Sequence, residues 1–344
     1  MRITVCGAGP AGIGMACCLM KSGHQVMIYD MPEYINRLTP LHTSKRISCH
    51  GKIEFCGELL GATDNAAEAI KDADVLFIAT HAAAHKKLAA LFQGHFRPDQ
   101  IVVMSPGYVG GGVEFTQTLR EMGAPLIPQY IELSSLPIIS MFDGPNTVKI
   151  TGWKRNFLVY CPEDIMDHSV MNWLHAMYAP LKVTGEPLEP GLNEINFIVH
   201  AVVSILNVNK VEIGSEWKFY RDGLTPSIVR VIEKIDQERT ELEKALGLRE
   251  HRLTDLLSEF YADQGMSSEN LYTQLTTFAP FAAVNGPNTF DNRFISEDLC
   301  YGLVPMIWLG EQKGLPMETT RMIVQLASVY TGSDYLRKGR KVMP

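Results

Sequence analysis

The chain has 344 residues, of which 46% are hydrophobic and 20% are charged, and its formal net charge is −7. These proportions are those of an ordinary globular protein and exclude a disordered, collagen-like or coiled-coil chain. The negative charge gives no general attraction to phosphate backbones or anionic lipids, so we expect neither nucleic acid nor a membrane as a partner.

The first half of the chain is predicted to alternate between strands and helices. The β-rich segments are 3–6, 25–29, 75–79 and 101–104, and the helical segments are 11–21 and 85–92. Segment 75–79 (VLFIA) is apolar at every position, which is typical of a strand covered on both faces. This alternation predicts an α/β fold with a doubly wound parallel sheet of the Rossmann type over residues 1–185.

The second half is predicted to form an all-helical domain over residues 186–344. The segment TGEPLEPG at 184–191 contains two prolines and two glycines and marks the boundary. The predicted helices are 192–213, 226–246, 296–313 and 316–330. Thr225 and Ser296 are the expected N-caps of the second and third of these helices, and Pro226 suits a first helical position.

The cysteines and the apolar segments bear on cellular location. The seven cysteines are scattered and include no CxxC pair or zinc-binding spacing, which is typical of reduced thiols in a cytoplasmic protein. No apolar run reaches the roughly 18 residues that a membrane-spanning helix needs. The apolar N-terminus resembles a signal peptide in composition, but its regularly spaced glycines favour a strand–turn–helix. We therefore expect a cytoplasmic protein.

The N-terminal glycines predict a dinucleotide-binding turn. The pattern G-x-G-x-x-G follows a predicted strand and begins a predicted helix, which is the context that makes it informative. Its residues are Gly7, Ala8, Gly9, Pro10, Ala11 and Gly12. Gly7 permits a tight turn, Gly9 lets the backbone approach a pyrophosphate, and Gly12 lets helix and strand pack closely. The N-terminus of the helix then offers N–H groups to the phosphates.

Residues at strand ends extend the predicted cofactor site. Asp30 follows the second strand, where a carboxylate accepts hydrogen bonds from the adenosine ribose and repels a 2′-phosphate. This favours NAD over NADP and FAD, although the nearby Arg37 leaves NADP open. Thr80 follows the strand at 75–79 and is expected to face the cofactor. His81 and His85 have the spacing of zinc ligands on a helix, but no third ligand accompanies them, so we predict no metal.

One predicted helix carries a polar stripe on an apolar background. The residues of this stripe are Asn193, Asn196, His200 and Asn207. A polar stripe inside an apolar helix must be satisfied, so we predict that Asn196 and Asn207 bind substrate. Histidine suits proton transfer near neutral pH, which makes His200 the candidate catalytic residue. The alternative is a packing network of amides around a neutral histidine.

Arg293 and Asp298 form a second candidate group, five residues apart near a predicted helix start. An arginine can bind a substrate carboxylate through two hydrogen bonds, which makes Arg293 a predicted substrate-binding residue. An aspartate can hold and polarise an imidazole, which makes Asp298 a predicted catalytic partner. The alternatives are a surface ion pair for Arg293 and an acid favoured by the helix dipole for Asp298.

The chain resembles the opine dehydrogenase family, also called octopine/nopaline dehydrogenases, over nearly its whole length. The matching segments, in chain order, are GAGPAG, SPGYVGGGVEF, IELSSLP, NFIVHAVVSILN, FYRDGLTPSIVRVIEKIDQER and RFISEDLCYGLVPM. Six segments in the same order are far more specific than any one of them. The resemblance implies a Rossmann domain followed by an all-helical domain, with catalysis in the cleft between them.

The resemblance also implies an activity and assigns roles to residues. The implied reaction is an NAD(P)H-dependent reductive condensation of an α-keto acid with the amine of an amino acid, and a homodimer is possible. The family's catalytic histidine matches His200, its partner aspartate matches Asp298, and the preceding arginine matches Arg293. The family often has a proline directly after the histidine, whereas this chain has Ala201, so the local helix geometry is expected to differ slightly.

Two other functions remain open at the level of sequence. A 2- or 3-hydroxy-acid dehydrogenase has the same two-domain plan, but many of those enzymes place a lysine on the long helix. In this chain His200 is at the centre of the polar face, and Lys210 is about 80° away around the helix. A non-catalytic NAD-sensing protein is the second alternative, although a sensor need not retain His200, Arg293 and Asp298.

Overall fold

The computed structural model describes residues 1–342, which form two compact units. The first unit comprises Met1–Gly107 and Gly111–Pro187. The second, which we call the helical unit, comprises Tyr108–Gly110 and the residues from Leu188 onward. Within residues 1–342, no helix is long and apolar enough to cross a membrane.

The first unit contains all the named strands of the described chain. The strands are β1 (Arg2–Cys6), β2 (Gln25–Tyr29), β3 (Arg46–Gly51), β4 (Phe55–Glu58), β5 (Gly61–Thr63), β6 (Val75–Ile78), β7 (Ile101–Met104), β8 (Gln129–Leu133), β9 (Ile138–Phe142), β10 (Thr147–Trp153), β11 (Leu158–Tyr160) and β12 (Lys182–Thr184). The helices of this unit are α1 (Pro10–Lys21), α2 (Ile35–Ser44), α3 (Ala66–Lys71), α4 (His85–Phe92), α5 (Gly111–Glu121) and α6 (Ser169–Tyr178).

Eight of these strands form one sheet in the order β12-β11-β8-β7-β6-β1-β2-β5. Neighbouring strands run parallel, except that β8 and β11 are antiparallel. Every residue of β6 and of β7 is buried, as their unbroken apolar sequences predict. The predicted α/β fold with a Rossmann-type sheet is therefore confirmed, and the antiparallel pair is an addition to it.

A second sheet, in the order β4-β3-β10-β9, was not predicted from the sequence. Helix α1 packs against this sheet as well as against β1 and β2. The contact is close at Gly14, where a Cβ atom would lie 2.5 Å from Cδ1 of Ile138. Because α1 is covered on two sides, apolar and small residues are found all around it rather than on one face.

The helical unit consists of short helices packed around α8 and α11. Its helices are α7 (Glu189–Leu192), α8 (Asn196–Leu206), α9 (Val208–Ile213), α10 (Phe219–Asp222), α11 (Pro226–Ala245), α12 (Leu253–Phe260), α13 (Leu271–Thr277), α14 (Arg293–Glu297), α15 (Val304–Gln312), α16 (Glu318–Thr331) and α17 (Tyr335–Lys338). A π-helix, Asp298–Leu303, joins α14 to α15. The predicted start of α11 is confirmed, since Oγ1 of Thr225 accepts a hydrogen bond from the N–H of Ile228 at 3.3 Å.

The prediction of one continuous helix over 192–213 is wrong, because asparagine side chains interrupt it. Nδ2 of Asn193 donates to the carbonyl of Glu189 at 2.8 Å, at the end of α7. Nδ2 of Asn207 donates to the carbonyls of Val203 and Gly223, at 2.8 and 2.9 Å, where α8 ends. Side chains that bond to nearby carbonyls compete with the helical hydrogen bonds. Asn193 therefore lies outside the helix that carries His200.

The prediction that Ser296 caps a helix over 296–313 is also wrong. The helix begins at Arg293, and its N-cap is Asn292, whose Oδ1 accepts from the N–H of Phe294 at 3.0 Å. The π-helix then follows, with Gly302 against the ring of Phe197 on α8. A π-helical turn is rare and is often found at a functional site, and this one carries Asp298.

A buried ionic network stabilises the helical unit at α11. Arg239 is fully buried, and its guanidinium pairs with Asp236 at 2.6 Å and with Glu243 at 2.7 Å. The carboxylate of Glu243 also accepts from Asn193 and from the N–H of His251, at 3.1 and 3.0 Å. The network thus joins α11 to the end of α7 and to the segment that precedes α12.

Replacing Arg239 with alanine should destabilise the protein by about 3–5 kcal/mol, because it leaves the buried carboxylate of Glu243 and the partly buried carboxylate of Asp236 without their cation. Chemical denaturation of the Arg239→Ala variant measures this loss. Arg230→Ala, an exposed position on the same helix, is the control and should change the free energy of unfolding little. Equal losses of unfolding free energy in the two variants would show that the buried network does not contribute to stability.

Candidate active site

The glycine-rich turn of the first unit follows β1 and begins α1. Gly7 has a φ of +115°, which favours glycine, and its N–H donates to the carbonyl of Tyr29 at 2.7 Å. At Gly12 a Cβ atom would lie 1.8 Å from the carbonyl oxygen of Gly7. The two glycines are therefore required by the tight turn and by the close approach of helix to turn.

Gly9 is different, because its α-carbon faces open space. It is the N-cap residue of α1, with a φ of −76°, and apart from its chain neighbours no heavy atom of the described residues lies within 4 Å of a Cβ built there. Pro10 occupies the first helical turn, where a missing N–H costs little. The open space at the N-terminus of a twelve-residue helix fits the pyrophosphate of a dinucleotide.

Asp30 holds this turn against the end of β2. The carboxylate is 3% exposed; Oδ2 accepts from the N–H of Ala8 at 2.8 Å, and Oδ1 accepts from the N–H of Met31 at 2.9 Å. Nη1 of Arg37 lies 4.0 Å from Oδ2. Burial raises the pKa of Asp30, while the two N–H donors and Arg37 oppose that shift. The bond to the glycine-rich turn was not predicted from the sequence.

Two buried hydroxyl groups lie at the carboxyl ends of neighbouring strands. Thr80 follows β6 and Ser105 follows β7, and neither Oγ atom has a hydrogen-bond partner among the described residues. Ligands of open α/β sheets bind at this edge, so the pair fits the polar groups of a nucleotide cofactor. Ser105 was missed by the sequence analysis, although its position after the buried segment 101–104 is the same signal that indicated Thr80.

His81 and His85 differ in their surroundings. His85 is fully buried at the start of α4, whereas His81 is exposed in the turn before it. No group of three histidine, cysteine, aspartate or glutamate residues within the described chain is arranged to hold a metal ion.

In the helical unit, His200 and Asp298 form a buried hydrogen-bonded pair. His200 lies in the middle of α8 and is 8% exposed, and Asp298 begins the π-helix and is 1% exposed. Nδ1 of His200 is 3.0 Å from Oδ2 of Asp298. A carboxylate accepts hydrogen bonds, so Nδ1 carries a proton and Nε2 is the nitrogen available for chemistry. The pairing expected from the sequence is therefore present, and its catalytic role stays a prediction.

Aromatic side chains fix the plane of the His200 ring. Phe294 stacks on it with a centroid distance of 4.0 Å, and the edge contact with Phe219 is at 5.5 Å. The hydroxyl of Tyr220 is 3.4 Å from Nε2. Burial and the charge of Asp298 raise the pKa of Tyr220, so that its hydroxyl stays protonated. The roles of these three residues were not predicted from the sequence.

The second oxygen of Asp298 also has a partner, which was not predicted from the sequence. The hydroxyl of Tyr108 donates to Oδ1 at 2.9 Å. Tyr108 lies in the SPGYVGGGVEF segment, one of the segments that carry the family resemblance. Burial and the charge of Asp298 hold the pKa of Tyr108 well above its usual value, which keeps the hydroxyl a donor.

The predicted substrate-binding residues have different environments. The Arg293 side chain is 58% exposed, with Nη1 3.9 Å from the buried carboxylate of Glu297 and the guanidinium 5.5 Å from the ring of Phe294. Asn196 is the first residue of α8 and is half-buried. The amide N–H groups of Asn207 donate to backbone carbonyls at the end of α8. Phe294 thus contacts both the Arg293 guanidinium and the His200 ring, whereas the Asn207 side chain caps the end of α8.

Comparison with known proteins gives matches to both halves of the chain. Residues 183–331 match the alpha-helical domain of the NAD/NADP octopine/nopaline dehydrogenases. Residues 2–136 match the N-terminus of NAD-dependent glycerol-3-phosphate dehydrogenase. The opine dehydrogenase of Arthrobacter sp. (strain 1C) is 26% identical over 98% of this chain and 92% of its own length. The D-nopaline dehydrogenase of Agrobacterium tumefaciens (strain T37) is 23% identical, over 87% of this chain and 79% of its own length.

Solved structures show the same fold. An octopine dehydrogenase in complex with NADH and agmatine superposes with a TM-score of 0.79 at 16% identity, over 96% of this chain and 90% of that one. A yersinopine dehydrogenase with NADP+ bound gives 0.79 at 17% identity, over 100% and 94% of the two chains. Fold and sequence matches together define an NAD(P)-dependent oxidoreductase with a Rossmann-like N-terminal region. Residues 183–331 therefore match the model of the octopine/nopaline dehydrogenase helical domain, and nearly the whole chain is similar to a known opine dehydrogenase.

Replacing Gly9 with alanine should weaken NADH binding by about tenfold or more and leave the melting temperature unchanged. The added methyl group enters the space proposed for the pyrophosphate, where a lost charge-assisted hydrogen bond has this effect. Calorimetric titration with NADH and thermal unfolding measure the two quantities. Gly185→Ala, which also adds a methyl group to open space, is the control and should bind NADH normally. Wild-type affinity in the Gly9 variant would contradict this location of the site.

Proposed function

We propose that the protein is an NAD(P)H-dependent opine dehydrogenase. It joins an α-keto acid, such as pyruvate, to the amino group of an amino acid and reduces the resulting imine, in a reversible reaction. The observation that carries the proposal is the buried pair of His200 and Asp298, which lies within the helical region that matches the octopine/nopaline dehydrogenases.

In the proposed reaction, the amine adds to the keto carbon, and loss of water from the carbinolamine leaves an imine. The bound nicotinamide cofactor supplies a hydride to the imine carbon. His200 acts through Nε2, which first takes a proton from the attacking amine and then gives it to the departing hydroxyl group. Asp298 keeps the proton on Nδ1 and stabilises the imidazolium form. The stacked ring of Phe294 holds the imidazole in the orientation that this transfer needs.

Arg293 is proposed to bind a carboxylate of the substrate. Its guanidinium is exposed and only loosely paired with Glu297, so two N–H groups can turn to an incoming carboxylate. We propose that Asn196 makes a second polar contact with the substrate, since it is half-buried at the start of the helix that carries His200. Asn207 remains a weaker candidate for substrate binding, because its amide N–H groups are used at the end of α8.

The proposed cofactor is NADH, with NADPH as the alternative. The carboxylate of Asp30 lies at the end of β2, where it disfavours a 2′-phosphate. The half-exposed guanidinium of Arg37 lies beside it and can partly offset that repulsion. We propose Thr80 and Ser105 as further cofactor contacts, because their buried hydroxyls lack partners among residues 1–342. All seven cysteines are free thiols, which supports a cytoplasmic location.

The deciding experiment compares NADH oxidation with an α-keto acid alone and with the same keto acid plus an amino acid. An opine dehydrogenase requires both, and a screen of pairs identifies the substrates. Oxidation with keto acid alone would instead establish a hydroxy-acid dehydrogenase. The lysine used by many of those enzymes has no counterpart beside His200, since Lys210 lies on α9 and bonds to the carbonyl of Asp222. NADH binding without turnover of any pair of keto acid and amino acid would favour a non-catalytic NAD-sensing protein.

The variants His200→Ala and Asp298→Asn should both lose activity, and their effects should not multiply. We expect His200→Ala to lose about 10²–10⁴ in kcat and still bind NADH. Asp298→Asn removes the charge that stabilises imidazolium, so its pH profile should move to lower pH. The double variant should be little worse than the worse single one, because either change disables the same unit. Losses that multiply would show that the two residues act separately.

Replacing Arg293 with alanine should raise the KM for the keto acid by about tenfold or more, because a charge-assisted hydrogen bond is lost. Steady-state kinetics and an NADH titration separate this effect from cofactor binding, which should not change. The control is Arg321→Ala, another arginine of the helical unit that pairs with a glutamate, Glu311. An unchanged KM would return Arg293 to the role of a surface ion pair.

A further inference from the structure

The carboxylate of Asp298 is bonded at both of its oxygens, and only one bond goes to His200. Oδ2 is 3.0 Å from Nδ1 of His200, and Oδ1 accepts from the hydroxyl of Tyr108 at 2.9 Å. All three residues are at least nine-tenths buried, so neither bond is exchanged readily for one to water. A buried carboxylate with two fixed donors cannot rotate about its terminal bond.

Tyr108 comes from the other half of the sequence, yet its backbone is fixed within the helical unit. The N–H of the next residue, Val109, donates to the carbonyl of Tyr301 at 3.1 Å, and Nη1 of Arg340 donates to the carbonyl of Val109 at 3.0 Å. Gly191 lies so close that a Cβ atom would be 2.1 Å from the carbonyl oxygen of Tyr108. The segment Tyr108–Gly110 is thus held from three sides.

The backbone of Tyr108 is in the left-handed region, with a φ of 58°. A bulky residue rarely adopts this conformation, and such strain persists where the surroundings impose it, often at functional sites. The conformation directs the phenol at Asp298. A side chain needed only to fill space would not require a strained backbone and a hydroxyl bonded to a buried charge.

We propose that Tyr108 is a positioning residue of the active site, which fixes the Asp298 carboxylate and sets how strongly it stabilises protonated His200. The inference rests on the proposed role of His200 in proton transfer. The Tyr108 hydroxyl draws part of the negative charge toward Oδ1 and away from the oxygen that faces His200. Removing this donor concentrates charge on Oδ2, which favours the imidazolium form and also frees the carboxylate to turn.

The other ionisable groups near His200 and Asp298 do not take over the role of the Tyr108 hydroxyl. Those that act electrostatically on Tyr108 besides Asp298 are Glu297, Arg293 and Glu194, and those that act on Tyr220 are Asp298, Glu194 and Arg293. None of these groups changes when the Tyr108 hydroxyl is removed, so a shift in the pH dependence reports on the one lost hydrogen bond.

The first test is Tyr108→Phe in the full-length enzyme. We expect kcat to fall by roughly tenfold, as for the loss of a buried hydrogen bond to a charge, with the affinity for NADH unchanged. The pH profile of kcat should move to higher pH, opposite to the shift expected for Asp298→Asn. Tyr335→Phe is the control, since this buried tyrosine of the same unit has its hydroxyl against Thr331. A Tyr108→Phe profile that coincides with the wild-type profile would overturn the proposal.

A second variant keeps the test decisive if phenylalanine prevents folding. Site-specific fluorotyrosine at position 108 retains the shape of the side chain and makes the hydroxyl a stronger donor. The pH profile should then move to lower pH, so the two replacements shift it in opposite directions. A purely structural tyrosine would give no shift with fluorotyrosine, and that result would also overturn the proposal.

A spectroscopic readout separates this proposal from the proposed function. NMR titration of ¹³C-labelled imidazole in the NADH-bound protein follows protonation of His200 without any turnover, and His200→Gln identifies its signal. The midpoint should rise in Tyr108→Phe whether or not an amino acid substrate has been found. An unchanged midpoint contradicts the positioning role of Tyr108, whereas a shifted midpoint without reductive condensation contradicts only the proposed reaction.

Discussion

The buried carboxylate of Asp298 is the constraint on which the candidate active site depends. A charge that is 1% exposed is costly unless each oxygen has a donor, and the fold supplies one from α8 and one from Tyr108. The π-helical turn gives this carboxylate its place opposite α8, where Gly302 allows the two elements to approach. The tautomer of His200 and the plane of its ring are consequently fixed before any substrate binds. Such preorganisation is the main source of electrostatic catalysis.

The first unit uses a buried carboxylate in a similar way. Asp30 accepts from two backbone N–H groups and thereby holds the glycine-rich turn to the end of β2. In the proposed cofactor site Asp30 would have two roles, since it shapes the turn proposed to receive the pyrophosphate and carries a charge that disfavours a 2′-phosphate. An aspartate at this point of a Rossmann fold is usually discussed for its contact with the ribose, and here it also maintains the backbone.

Much of the fold could be predicted from the sequence, because its signals are local. Apolar segments of five and four residues, at 75–79 and 101–104, predicted β6 and β7, and the Thr225–Pro226 pair predicted the start of α11. The four-stranded sheet was missed, since its strands are partly exposed and contain no uniform apolar run. The predicted helix over 192–213 was too long. Asn193 and Asn207 each bond to a carbonyl four residues back and also to a partner from another segment, Glu243 and Gly223, and sequence alone does not show that second partner.

The sequence by itself determined the glycine spacing of the cofactor turn, the strand-end position of Asp30 and the central position of His200 on an apolar helix. Only the tertiary structure decided which groups meet. Asp298 is 98 residues from His200, and Tyr108 is 190 residues from Asp298, so no local spacing relates them. The physical reason is that burial, rather than sequence separation, sets the need for a hydrogen-bond partner, and burial is known only once the helices are packed.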